Sequence, residues 1–190
     1  GTYRAVLSYG DQSSETRIEV QSDPRIRYNA TAVQAVYDTS KAFEQLQQTT
    51  AEAVKQLVES NKIVSEFSDK LSKKDKELYK DALKNCKDIT EKIDTILALY
   101  FGKEDKRQGI TSDPVVSVAE RIGTALYYIR TRQNGITDTE RSLIEQAKTA
   151  INSALKSTNR FFKEDWVDFE TEMETIDLTP FKNIKTFELK

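Results

Sequence analysis

Apolar and polar positions change rhythm along this chain. From Thr2 to Tyr9 they alternate in twos, with Tyr3, Ala5, Leu7 and Tyr9 on one side and Arg4, Val6 and Ser8 on the other. The polar cluster Gly10-Asp11-Gln12-Ser13-Ser14 interrupts this, and alternation resumes over Thr16 to Gln21, with Ile18 and Val20 on one side. The pattern predicts a β-hairpin with a loop of about five residues. Asp23-Pro24-Arg25 ends it, because Pro24 lacks a ladder donor, and the stretch to Asn29 reads as an extended linker.

From Thr31 onward the rhythm is helical. Thr31 reads as an N-cap, with Gln34 closing a capping box. The stripe Val33, Val36, Phe43, Leu46, Ala53, Leu57, Val64, Phe67, Leu71 runs on without Gly or Pro. It predicts a helix of roughly eleven turns, about 60 Å long. Ser72, with Asp75 three residues on, reads as the start of a second helix, whose stripe is Leu78, Ala82, Cys86, Ile89, Ile93, Ile96, Tyr100 and whose C-cap is Gly102. After a polar loop, Ser112-Asp113-Pro114 opens a third, with Val115, Val118, Ile122, Leu126 and Ile129, stopped by Asn134-Gly135. Thr137 and Glu140 form a second capping box. The fourth helix carries Leu143, Ile144, Ala147, Ile151, Leu155, Thr158, Phe161, Phe162, Phe169 and Met173, and is expected to reach about Glu174.

Each stripe is polar on its far side, so each must bury its seam against another helix. Short links between helices 1 and 2, and 3 and 4, favour antiparallel neighbours. The expected fold is mainly α: an up-down-up-down four-helix bundle preceded by a short β-hairpin. The expected division is residues 1–24 as the hairpin, 30–175 as the bundle and 176–190 as a C-terminal tail. Two strands alone are marginal in water. The hairpin is therefore expected either to pack on the helices or to be the end of an upstream Ig-like sandwich. A Gly-x-Tyr entering a strand is compatible with the tyrosine corner of such sandwiches.

Composition narrows the chemistry. With 29 basic and 31 acidic residues, the net charge is −2, which gives no electrostatic case for nucleic acid or an anionic membrane. Histidine is absent, which rules out Ser-His-Asp and Cys-His catalysis, His-ligated zinc and a Glu-x-x-His di-iron bundle within this chain. The single cysteine excludes an internal disulfide. No apolar run approaches the ~20 residues of a membrane span. The opening Gly1-Thr2-Tyr3 has neither methionine nor signal-peptide pattern and reads as part of something longer.

Few side chains qualify as a site. Cys86 lies on the second stripe with no His to activate it, and reads as a small buried hydrophobe. Glu120, Glu140 and Glu145 fall largely off the seams and read as solvated, not as a metal or acid–base centre. The lysines 70, 73, 74 and 76 are interleaved with acids and read as a solvated turn. Asn29-Ala30-Thr31 fits a glycosylation sequon, a pattern frequent by chance. No catalytic, cofactor-binding or metal residue is assigned. Trp166, beside Phe161, Phe162 and Phe169, reads first as a satellite of the core near the end of a long helix, and alternatively as a partner-binding patch; with the adjacent Tyr127 and Tyr128 it makes up the candidate interaction surface.

The order of landmarks adds one resemblance. Gly1-Thr2-Tyr3 leads a strand, a second ends in Val20-Gln21-Ser22-Asp23-Pro24-Arg25, and a long helix follows; later come Asn134-Gly135-Ile136-Thr137, then Trp166 to Phe169 before Leu178-Thr179-Pro180-Phe181. This succession resembles the C-terminal region of bacterial sortilin-like BNR-repeat proteins, often labelled glycosyl hydrolases. The resemblance implies an exported protein with a large β-propeller upstream, and any hydrolase chemistry would reside in that propeller. It brings no catalytic residue or cofactor to this chain. The expectation is a non-catalytic helical accessory domain that packs on its own propeller or on another protein. The alternative is a carbohydrate- or ligand-binding module built on exposed aromatics.

Overall fold

The computed structural model describes residues 1–25, 27, 29–74, 77–103, 115–132 and 135–176. The element order is β1 (Thr2–Tyr9), β2 (Gln12–Glu19), α1 (Ala30–Ser72), α2 (Lys80–Phe101), α3 (Val118–Arg130), α4 (Asp138–Lys163) and α5 (Asp165–Glu174). A helical bundle preceded by an antiparallel hairpin is present, as the periodicities predict.

The hairpin is tighter than expected. β1 and β2 pair from Thr2↔Glu19 to Tyr9↔Gln12, which leaves only Gly10 and Asp11 in the turn. Gly10 takes a φ of 56°, and no described non-glycine residue has positive φ. Glycine first and an ordinary residue second is the pattern of a type II′ turn, whose twist matches that of the strands. Gln12, Ser13 and Ser14 therefore belong to β2 instead of a five-residue loop, and β2 ends at Glu19 rather than Gln21. After it the chain turns instead of extending. The Asp23 carboxylate accepts hydrogen bonds from the Arg25 amide at 2.9 Å and from its guanidinium at 2.7 to 3.3 Å. This is an Asx-type turn around Pro24.

In α1 the buried residues Phe43, Thr50, Leu57, Val64 and Leu71 recur every seven positions, the period of a supercoiled seam. The α2 seam is Ala82, Cys86, Ile89, Ile93, Ile96 and Tyr100, alternating by four and three. In α4 it is Glu140, Ile144, Ala147, Ile151, Ala154, Thr158 and Phe161, in the same rhythm. Three expected seam residues are exposed instead: Val33, Leu78 and Val115. Leu78 and Val115 precede the starts of α2 and α3, and Val33 lies in the first turn of α1.

The helix ends differ from expectation for local reasons. Asn29, not Thr31, caps α1, with its Oδ1 accepting from the Ala32 amide at 3.1 Å; Gln34 instead donates to Asp38. Ser72 does not open α2, because its hydroxyl donates to the Asp69 carbonyl in the last turn of α1, and α2 begins at Lys80. Asp75 lies outside the described residues, as do Ser112-Asp113-Pro114, Asn134 and the tail from residue 177. The cap of α3 is Ser117, in a capping box with Glu120. Gly102 caps α2 with φ 83°, and Thr137 with Glu140 opens α4, both as expected.

The fourth stripe does not run unbroken to Glu174. It is interrupted at Glu164, which joins α4 to α5. Beyond Phe161 the seven-residue series would bury residue 168, but Phe169 and Met173 are buried instead. One extra residue rotates the stripe off its face, and the break at Glu164 restores it.

Polar contacts give the directions. Asn85 pairs with Glu172, Lys92 with Asp165, Tyr100 with Thr158, Arg121 with Gln146 and Arg132 with Glu140. As numbering rises through α2 and then α3, it falls along α5 and α4. Reversal occurs at the two short links, α1 to α2 and α3 to α4, as expected. However, α3 continues in the sense of α2 instead of reversing again. The two follow one another along α1 and α4, each of which contacts both. The link between them, residues 102–117, is long enough that no tight reversal is imposed. The core is correspondingly in two parts. One is built on Leu57, Val64, Ile93, Ile151 and Phe161, the other on Phe43, Ala125, Ile129, Ile144 and Ala147, and Leu46 and Ile122 pack against both.

Candidate interaction surface

The hairpin has a full ladder and, among the described residues, no tertiary partner. Among the described residues β1 and β2 contact each other and no helix, and no third strand joins them. Alternation places Tyr3, Leu7, Tyr9, Ile18 and Val20 on one face, and all are exposed, with Leu7 at 76% and Tyr9 at 87%. Among the described residues, both outer strand edges are open to another strand. Main-chain donors on such an edge, beside alternate apolar side chains, make a template for strand addition.

A second apolar surface opens where α2 ends and α3 begins. An open groove of about 630 Å³ is walled by Val54 and Val58 of α1, Phe101 of α2 and Ile122 of α3. Its floor includes Tyr100, whose ring is buried and whose hydroxyl already meets Thr158 at 2.8 Å. The groove therefore offers apolar contact and little hydrogen bonding. It exists because α2 and α3 share one side of the bundle and leave a joint between them. The four helical stripes carry no sign of it, since it depends on how the helices are stacked end to end.

The three expected surface aromatics are not brought together. Tyr127 and Tyr128 stand exposed on α3, their rings edge-on with centroids 5.7 Å apart. Trp166 lies on α5, half-buried, with its ring 5.6 Å from Phe169, 6.0 Å from Phe162 and 6.2 Å from Phe161. α3 does not contact α5. Trp166 thus belongs to an aromatic satellite of the core, and the tyrosines form a separate exposed pair.

Glu140 corrects the reading that placed it off the seam. It is completely buried, at the head of the α4 seam. Its carboxylate accepts from the Thr137 amide at 2.8 Å, from the Thr137 hydroxyl, and from Arg132 Nε and a terminal guanidinium nitrogen at 2.7 Å each. These bonds, led by the Thr137 hydroxyl, outweigh the cost of burial and pull its pKa down to about 2. The spacing Glu140, Ile144, Ala147 carries the signal for this burial, since it continues the four-three rhythm. The group is a satisfied helix-start latch with its lone pairs engaged. Glu120 serves the α3 cap and Glu145 pairs with Lys148 at 2.8 Å.

Cys86 is buried between α1 and α2, and burial is the main cause that raises its thiol pKa. A raised pKa disfavours the reactive thiolate. Among the described residues no group of His, Cys, Asp and Glu is arranged to hold a metal ion. No helix among them is long and apolar enough to cross a membrane. No family model, curated protein or solved structure matches the chain.

Proposed function

We propose that this chain is a non-catalytic helical accessory domain of a larger exported β-propeller protein, and that its hairpin is the element that docks. The carrying observation is the hairpin itself: eight residue pairs, an exposed apolar face and, among the described residues, no helix behind it. Such a hairpin is marginal alone. Joining the edge of another sheet would satisfy its outer backbone groups and cover Tyr3, Leu7 and Tyr9. The helices then act as a rigid body attached through the Asp23-Pro24-Arg25 turn. The landmark resemblance supports the propeller as the host and export as the destination.

Calorimetry between this chain and the separately expressed β-propeller region of its host protein tests the reading. The expected result is binding at micromolar Kd or tighter, lost in a Leu7→Ser, Tyr9→Ser double variant that keeps its helical circular dichroism. Absence of binding by the unmodified chain, or binding that survives the double variant, would overturn the docking role of the hairpin.

A second reading, a carbohydrate- or ligand-binding module, draws support from the exposed Tyr127 and Tyr128 pair. Glycan-array binding abolished by Tyr127→Ala would favour it over the docking role.

A further inference from the structure

No further inference is drawn: the strongest candidate, the apolar groove between the middle of α1, the end of α2 and the start of α3, is an unpartnered apolar face, and nothing in the structure shows what covers it.

Discussion

The Tyr100 hydroxyl lies 2.8 Å from Thr158 Oγ1, and both residues are buried. Thr158 Oγ1 donates its own proton to the Ala154 carbonyl at 3.0 Å. The proton between the two hydroxyls therefore comes from Tyr100, which gives the pair a direction. Tyr100→Phe removes only the donor and leaves Thr158 bonded, so it should cost about 1 kcal/mol. Thr158→Val strands a buried phenol and should cost more, about 1–3 kcal/mol. Urea denaturation of both variants checks this. A larger loss for Tyr100→Phe would reverse the assigned direction.

Leu57 is fully buried at the centre of the seven-residue series of α1. Leu57→Ala removes apolar contact and leaves a cavity among α1, α2 and α4, so stability should fall by about 2–5 kcal/mol. Chemical denaturation followed by helical circular dichroism measures it. A change near zero would mean that the seam of α1 is drawn on the wrong face.

Glu140 gives acid sensitivity with a definite sign. Its carboxyl titrates near 4.5 in an unconstrained chain and at about 2 in the fold. A lowered folded pKa stabilises the fold at pH values above 4.5, and that contribution is lost progressively as pH falls toward 2. Thermal melts from pH 6 to pH 2 should show a falling Tm for the parent chain. Glu140→Gln should lower Tm at pH 6, and its melts should depend less on pH in that window. Parallel pH curves for the two proteins would remove Glu140 from the account.

The hairpin and the helices should be energetically independent in the isolated chain, because among the described residues neither strand touches a helix. Leu7→Ser and Tyr9→Ser should each leave the helical melting transition within roughly 0.5 kcal/mol of the parent, the range of surface substitutions away from packed features. A loss of several kcal/mol would show that the hairpin braces the bundle.

Much of the fold was legible in the sequence because it depends on near neighbours. Leu57, Val64 and Leu71, or Ile89, Ile93 and Ile96, mark their seams by spacing, and one helical face is enough to require burial. Gly102 and the Thr137–Glu140 pair marked two helix ends, since caps are local hydrogen-bonding events. The misplaced starts at Thr31 and Ser72 show the limit of such signals. Adjacent polar residues compete for the same cap, and Asn29 and Asp69 decide the outcome through single hydrogen bonds.

The sequence by itself determined the hairpin, the helical seams and the exclusion of histidine chemistry, because these follow from composition and from periodicity within single elements. Only the tertiary structure decided the rest. It ran α3 onward from α2, opened the groove beside Phe101, separated Trp166 from the Tyr127–Tyr128 pair and, among the described residues, set no helix against the hairpin. It also seated Glu140 at zero exposure. Each of these depends on which face meets which across tens or more of intervening residues, a choice set by the packing of the whole and not by the pattern of any one segment.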